Sequence, residues 1–322
     1  MSDLIDVEIR ALEQQSARVT SYELVTLDGK PLPAANAGDH IDVHIAVDNG
    51  DNLIRQYSLC AQPGAQGYRI GVQREDDGQG GSRAIHAQWQ VGTRLQISPP
   101  RNLFALVDGA SHSILMGGGI GITPVLSMAW QLHQQGRSFE LHYSVRSLAE
   151  AAFIRELQQS PFVERVHLYI ANDGGRVDMA RLLVRPQPNT HLFACGPVGY
   201  MDAIWQTADT MGWNHSNLHR EYFDAPAVET TSDEAAFTVR LHSSGQEFEI
   251  AADQSIAAVL MEAGVDVPVS CGKGICGSCM TRVVDGQPEH RDLYLTEEEQ
   301  ASNQWITPCC SRSASPLLVL DL

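Results

Sequence analysis

The sequence predicts a multidomain chain, mixed α+β and α/β, with three folds in series. An antiparallel, β-rich barrel or sandwich comes first, a parallel α/β sheet second, and a small β-rich domain with one helix last. Three observations predict this. Apolar and polar residues alternate with period two through the first hundred positions. From about residue 104, apolar strands alternate with helical spacing, the mark of βαβ units. Five of the seven cysteines fall in the last fifth of the chain, beyond a polar, acidic stretch. A length of 322 residues allows two or three domains with separate cores.

In the first region, "HIDVHIAV" (40–47) alternates as a half-buried strand does, and "RQYSL" (55–59), "YRIGVQ" (68–73) and "RLQIS" (94–98) are further short strands. Turn signals such as "QPGAQG" and "DDGQGG" separate them, and Pro99 and Pro100 end the pattern. The middle region opens with the strand "HSILMGGG" and the helix "TPVLSMAWQLHQQG". It continues through the strand "FELHYSVR", the helix "AAFIRELQQS", "RVHLYIAND", "MARLLVR", "THLFACGP" and "GYMDAIWQTADTMG". "FDAPAVETTSDEAA" (223–236) reads as a linker. After it, "FTVRLHSS" and "QEFEIAA" suggest a hairpin turning near Gly245, "SIAAVLMEAG" a helix, and "LLVLDL" a final strand.

The formal net charge of −17 argues against sequence-independent nucleic-acid binding and against an anionic membrane surface. The acidic start "MSDLIDVEIR" lacks the apolar core of a signal peptide, and no stretch of roughly 18 apolar residues is present to span a bilayer. A cytoplasmic location with reduced thiols is therefore expected. The segment from residue 233 carries fourteen acidic against five basic side chains, a net of −9. Most of these acids read as a solvated face, but such a charge also suits a basic protein partner.

The densest motif is "CGKGICGSC". Cys271, Cys276 and Cys279 stand in C-x4-C-x2-C spacing, with Cys309 and Cys310 further on. This is the plant-type [2Fe–2S] pattern. A four-cysteine zinc site more often shows two C-x2-C pairs, and only one is present. Gly272, Gly274 and Gly277 allow the positive φ that a tight wrap demands. Cys309 and Cys310 compete for the fourth place. Adjacent strand residues face opposite ways, so one ligates, and the usual spacing of such proteins favours Cys309.

Two other stretches carry ligand-binding signals. "MGGGIGITPVL" (116–126) links a strand to a helix, where Gly118, Gly119 and Gly121 would let a phosphate reach the backbone and helix N-terminus. The G-x-G-x-x-G fingerprint is not met, because position 124 is Pro. The lesser alternative is a tight turn without a ligand. "FACGP" (193–197) is a second strand end of the same sheet, the edge where such sheets bind ligands, although Cys195 could be a packing residue. In "RQYSL", Arg55 and Tyr57 share one strand face and Ser58 the other. Arg55 could hold a phosphate, with backbone donors at Gly80, Gly81 and Ser82 completing an anion nest. A solvated Arg and Tyr face is the default for that segment alone.

Taken together and in this order, "RQYSLC", "GGS", "GGGIGITP", "CGP", the cysteine loop and "CCSR…LVLDL" resemble the phthalate dioxygenase reductase family over essentially the whole chain. Within it, "DGQPEHRDLYLTEEEQ" and "TPCCSR" are most similar to the reductases of vanillate O-demethylase systems. The resemblance implies an antiparallel β-barrel flavin domain (1–103), a parallel α/β NAD domain (104–223), a linker (224–236) and a β-grasp, plant-type ferredoxin domain (237–322). It implies FMN, NADH and a [2Fe–2S] cluster as cofactors and a terminal Rieske-type oxygenase as partner. For FMN it points to Arg55, Gln56, Tyr57, Ser58, Val72, Gln73, Gly80, Gly81, Ser82 and Phe223. For NADH it points to Gly118, Gly119, Gly121, Thr123, Pro124, Arg146, Asp173, Cys195, Gly196 and Pro197. Ser58 and Cys195 are placed next to the reacting rings, and Cys271, Cys276, Cys279 and Cys309 at the cluster.

The implied chemistry converts a two-electron donor into single electrons, with the protein setting distance, orientation and potential. Asp173 at a strand end suits the 2′-hydroxyl of NADH and opposes a 2′-phosphate, while Arg146 and Arg176 act the other way. Two readings stand beside this one. One is an FAD-containing flavin–ferredoxin reductase for another acceptor. The other is a ferredoxin-type carrier in which the glycine loops are only turns; it would be brown without a yellow flavin.

Overall fold

The computed structural model describes residues 4–46, 52–62, 64–76, 80–184, 187–223 and 235–322. These fall into two compact units, one ending at Phe223 and one comprising the described residues beyond it. Most of the segment read as a linker, residues 224–234, lies outside the described residues.

The first unit begins with strands β1 (Ile5–Gln14), β2 (Val19–Thr26), β3 (Asp39–Ala46), β4 (Asn52–Ser58) and β5 (Tyr68–Gln73). Helix α1 (Gly81–Gln88) and strands β6 (Arg94–Ile97) and β7 (Arg101–Asn102) follow. The sheet runs β4-β3-β6-β1-β2-β5, with β7 on β3. Its ends meet at the Leu59–Ile70 bridge, where the Cys60 N–H donates to the Arg69 carbonyl at 2.8 Å. The result is a nearly closed antiparallel barrel. Period-two alternation turns Ile41, Val43 and Ile45 inward beside Val7, Ile9, Leu24, Ile70, Val72 and Ile97, and α1 adds Ile85 to the same core.

The second half of this unit is a parallel sheet. Its elements are β8 (His112–Gly118), α2 (Ile122–Gln134), β9 (Phe139–Val145), α3 (Ile154–Gln159), β10 (Val166–Ile170), α4 (Met179–Leu182), β11 (Thr190–Cys195), α5 (Val198–Thr210) and β12 (Leu218–Glu221). The strand order is β10-β9-β8-β11-β12. The order reverses between β8 and β11, so the crevice at their carboxyl ends is the place for a ligand. Phe153 takes a left-handed φ of 57°, so the helix expected over 151–160 starts only at Ile154.

Phe153 also joins the two halves. A Cβ on Gly71 of β5 would lie 3.0 Å from the Thr123 methyl and 3.1 Å from the Phe153 ring. Arg69 lies 5.2 Å from the Phe153 ring centroid and pairs with Glu156 at 2.8 Å. Trp130 donates to the same carboxylate at 2.7 Å.

The second unit holds β13 (Phe237–Leu241), β14 (Glu247–Ile250), α6 (Ile256–Glu262), β15 (Thr281–Asp285), β16 (Pro288–Glu289), α7 (Glu297–Ser302), β17 (Trp305–Ile306), β18 (Arg312–Ser313) and β19 (Leu317–Leu320). Its mixed sheet runs β14-β13-β19-β15-β17, with β13 parallel to β19. The β13–β14 hairpin turns at Gly245, φ 72°, as its position suggested. Ser255 caps α6 by accepting the Ala258 N–H at 3.1 Å. The helix buries Ile256 and Leu260 with Val239, Ile250, Ile306 and Leu318. A helix laid across a mixed sheet of this kind is the β-grasp. Among the described residues, no helix is long and apolar enough to cross a membrane.

Candidate active site and metal centre

The cysteine loop lies between α6 and β15. Gly272, Gly274 and Gly277 take φ of 65°, 71° and 67°. Space is as tight as conformation there. A Cβ on Gly274 would lie 2.4 Å from the Cys310 sulfur, and one on Gly277 would lie 2.2 Å from the Tyr294 ring. The N–H groups of Lys273 and Ser278 donate to Cys271 and Cys276 at 3.3 and 3.5 Å. Cys276, Cys279 and Cys309 are buried and Cys271 is half-buried.

The thiols touch. Contacts with Cys276 first and Cys309 second hold the Cys271 thiol far below its ordinary range. The same kind of contact, with Cys271 first and then Cys279, pushes Cys309 up. Asp292, buried behind the loop, accepts the Leu295 and Tyr294 N–H groups at 2.7 and 3.2 Å, and the Leu293 N–H donates to the Gly274 carbonyl at 3.0 Å. Converging thiols, backbone donors aimed at sulfur and side-chain-free glycines are a donor set that fits a four-thiolate [2Fe–2S] cluster.

One ground of the sequence reading needs correcting. Cys309 and Cys310 do not lie on a strand. They occupy a turn in which the Cys310 and Ser311 N–H groups donate to the Thr307 carbonyl at 3.2 and 3.0 Å. The two thiols touch each other, but Cys310 also lies 3.3 Å from the Thr307 hydroxyl, while Cys309 also meets Cys271 and Cys279.

In the barrel, β4 presents Arg55, Gln56, Tyr57 and Ser58. Gly81 packs against Arg55, since a Cβ there would lie 3.3 Å from Arg55 Cγ. Gly80, at φ 91°, turns the chain into α1, so the stretch read as an anion loop opens a helix; Gly78 and Gln79 lie outside the described residues. The Ser82 hydroxyl accepts the Glu75 N–H at 3.0 Å, and Gln56 donates to Asp42 at 3.1 Å. Tyr57 packs against the barrel core, and burial pushes its hydroxyl up. The Val72 side chain points into that core and its carbonyl lies 3.0 Å from His86 Nε2, so a ligand could meet only the rest of its backbone, and Gln73 bonds Glu75 nearby.

The strand switch point gathers the rest. A Cβ on Gly121 would lie 2.2 Å from the Cys195 carbonyl oxygen, and one on Gly196 would lie 3.1 Å from Gly118 Cα. The two loops therefore pack backbone to backbone. Tyr200 and Pro197 cover Gly118, while a Cβ on Gly119, φ 55°, would meet nothing within 4 Å. Thr123, buried, donates to the Ile120 carbonyl at 3.0 Å, and Pro124 lies in the first turn of α2. Arg146 and Asp173 are exposed at the ends of neighbouring strands, joined where the Asn172 N–H donates to the Arg146 carbonyl at 2.9 Å. Phe223 follows β12 and is 37% exposed.

One residue was missed by sequence reasoning. Glu221 is the register neighbour of Cys195 on β12 and accepts the Ser58 hydroxyl at 3.3 Å. Burial pushes its carboxyl up to about 8, with the Ser58 bond opposing, so it is mostly protonated at neutral pH. Burial first, and the Glu221 charge second, raise the Cys195 thiol well above its ordinary range. No local signal marks it, because its place beside "CGP" is made by the pairing of β11 with β12.

A barrel joined to a parallel sheet at its switch point, with a four-thiol β-grasp unit in the same chain, defines an iron–sulfur flavoprotein that takes electrons from a pyridine nucleotide. Residues 239–314 match the 2Fe-2S iron-sulfur cluster binding domain. The chain is 48% identical to a vanillate O-demethylase oxidoreductase of Pseudomonas sp. (strain HR199), over 99% of this chain and 100% of that one. It is similar in structure to phthalate dioxygenase reductase (TM-score 0.74, 37% identity, 99% and 98% of the two chains). It also resembles an intact type IV self-sufficient cytochrome P450 monooxygenase (TM-score 0.87, 36% identity), where it covers 99% of itself but spans only 41% of the longer chain. The chain belongs to the phthalate dioxygenase reductase family, the flavin- and [2Fe–2S]-dependent oxidoreductases that serve as reductase components of oxygenases.

Proposed function

We propose that this chain is the NADH-dependent, FMN-containing reductase of a Rieske-type aromatic O-demethylase, with vanillate as the substrate of its partner. The observation that carries this reading is the convergence of Ser58, Glu221 and Cys195 at the strand switch, in a chain 48% identical over its length to a vanillate O-demethylase oxidoreductase. Bound flavin and cluster supply the change from two-electron to one-electron transfer. Residues 1–103 hold FMN, residues 104–223 hold NADH, and residues 237–322 form the ferredoxin part, joined through 224–236.

Arg55, Gly80, Gly81 and Ser82 receive the FMN phosphate, and Gln56, Tyr57, Val72 and Gln73 line the ring, Val72 by its backbone. Protonated Glu221 can donate to Ser58 Oγ across the same 3.3 Å contact, which leaves the Ser58 hydroxyl proton to donate toward the reacting edge of the ring. Phe223 stacks on the ring from the other side. Gly118, Gly119, Gly121, Thr123 and Pro124 receive the NADH pyrophosphate at the start of α2. Cys195, Gly196 and Pro197 form the floor under the nicotinamide. Asp173 accepts from the adenosine 2′-hydroxyl and Arg146 flanks it. Cys271, Cys276, Cys279 and Cys309 ligate the cluster.

Flavin extraction with mass analysis, steady-state kinetics with both coenzymes, and reduction of a purified vanillate-type oxygenase test this reading. FMN, a higher kcat/KM with NADH and oxygenase reduction are expected. Recovery of FAD, or equal efficiency with NADPH, would overturn the cofactor assignment; failure to reduce the oxygenase while ferricyanide is reduced would overturn the partner.

A further inference from the structure

The parallel sheet carries a second set of ligand-type side chains, on strands β9 and β10 and apart from Ser58, Glu221 and Cys195. His142 of β9 and His167 of β10 are register partners, and Glu140 lies two residues before His142 on the same face. One donor atom from each of the three lies within 4.8 Å of the others. Nε2 of His142 is 3.4 Å and Nε2 of His167 is 3.9 Å from the same Glu140 oxygen, Oε2. The two rings are stacked with centroids 4.7 Å apart.

His142 is only 3% exposed, and its Nε2 is a buried polar atom with no hydrogen-bond partner. Its other nitrogen, Nδ1, lies 3.0 Å from the Tyr169 hydroxyl. With the proton on Nδ1 donated to Tyr169, the Nε2 lone pair faces Glu140 and His167. An outer partner that fixes the tautomer in this way is what metal-ligating histidines use. A fourth side chain repeats the arrangement. His112 points Nε2 at the other Glu140 oxygen, 3.7 Å away, while its Nδ1 lies 2.8 Å from the Ser138 hydroxyl. His167 is exposed, so the site is open to solvent.

We propose that Glu140, His142 and His167 bind a divalent transition metal, and that Zn2+ suits them best, with His112 or water completing a tetrahedron. Zinc bonds of about 2.1 Å place donors about 3.4 Å apart, so donors that lie within 4.8 Å of one another must close by up to about 1.4 Å, and the exposed His167 ring must turn out of its stack on His142 for both lone pairs to converge. Zinc has no redox chemistry and would leave electron flow through the chain undisturbed.

The test titrates Zn2+ into the flavin- and cluster-loaded protein by calorimetry and records the zinc K-edge absorption of the product. One saturable zinc per chain is expected, with nitrogen and oxygen neighbours including imidazole and no sulfur, and with binding that weakens as pH falls. His167→Ala, at an exposed position, should raise Kd about 10–100-fold while the flavin and cluster absorption stay unchanged. His215→Ala, at a surface histidine 2.8 Å from Asp209, should leave Kd as it is. No saturable binding, sulfur in the coordination shell, or an unchanged Kd in His167→Ala would overturn the proposal.

Discussion

The cysteine loop and the Ser58–Glu221 pair place reactive groups in opposite ways. The loop sets three thiols within nine residues and bends the backbone around them with three glycines of positive φ. The pair joins residues 163 positions apart, carried on a barrel strand and an edge strand of the parallel sheet. A local motif depends on backbone conformation and can be read from spacing. A site assembled by tertiary structure depends on packing between elements, and its members look ordinary until the fold brings them together.

The largest effect should come from the loop. Cys276→Ser and Cys309→Ser are expected to abolish the cluster signal in electron paramagnetic resonance and the reduction of the oxygenase. NADH–ferricyanide turnover should remain. Cys310→Ser should keep the cluster, because that sulfur already lies 3.3 Å from the Thr307 hydroxyl. Cluster loss in Cys310→Ser with retention in Cys309→Ser would reverse the ligand assignment. Gly277→Ala should behave like a ligand loss, since its Cβ would enter the Tyr294 ring at a φ of 67°.

The assembled site should break more gradually. Ser58→Ala is expected to slow flavin reduction by NADH about 10²-fold in stopped flow, the scale of a misplaced reacting group. Glu221→Gln keeps a neutral hydrogen-bonding side chain and should cost less. A wild-type rate in Ser58→Ala would remove the hydroxyl from the mechanism.

Acidity gives a third, smaller handle. Burial raises the Glu221 carboxyl from 4.5 to about 8, so between those values the folded chain holds a proton that the unfolded chain lacks. That contribution to stability is complete below 4.5, falls as pH rises, and is lost through about pH 8. Thermal stability should therefore decline between about pH 4.5 and 8, flavin reduction should fall as Glu221 ionises near pH 8, and Glu221→Gln should flatten both profiles. An unaltered profile in the variant would assign the ionisation to another group.

The smallest effect concerns the partner. The segment from residue 233 has a net charge of −9, and electron delivery depends on brief encounters that charge steers. Salt above roughly 0.2 M, where screening acts within about 8 Å, should slow oxygenase reduction several-fold and ferricyanide turnover much less. Part of that charge has local work. Glu299 closes a capping box with Thr296 at the start of α7, and Glu247 and Glu289 pair with Arg240 and Arg291. Equal salt response in the two assays would reduce the whole acidic face to solvation.

The comparison also explains what was legible. Strand β5 matches "YRIGVQ" residue for residue, and the hairpin at Gly245 and the three loop glycines follow from turn chemistry. β1 and β2 were not individually evident, for two physical reasons. A bulge between Ile9 and Ala11 breaks the period of β1, and β2 is buried on both faces along its first half, which erases alternation. Helix α1 begins on two glycines without a side-chain cap. Glu221 was invisible because a lone acid on a four-residue strand carries the same local signal as a solvated one. Cys309 and Cys310 were placed on a strand because the surrounding residues permit one; the turn is set by hydrogen bonds to the Thr307 carbonyl that spacing does not encode.

The backbone contact between the loops at Gly118–Gly121 and Cys195–Gly196 has a consequence for how such a reductase can diversify. A side chain at Gly121 would strike the Cys195 carbonyl at 2.2 Å, and one at Gly196 would strike Tyr200 at 2.8 Å. The middle of the sheet is therefore closed to variation, and drift there is purged as misfolding before it can alter chemistry. Arg146 and Asp173, exposed on the outer strands, face no such constraint. On the proposed assignment of that rim to the adenosine, a lineage could exchange one coenzyme for another through a few substitutions there while inheriting the centre of the sheet unchanged. Selection for a new electron donor would then leave its record at the edge of the sheet and none at its centre.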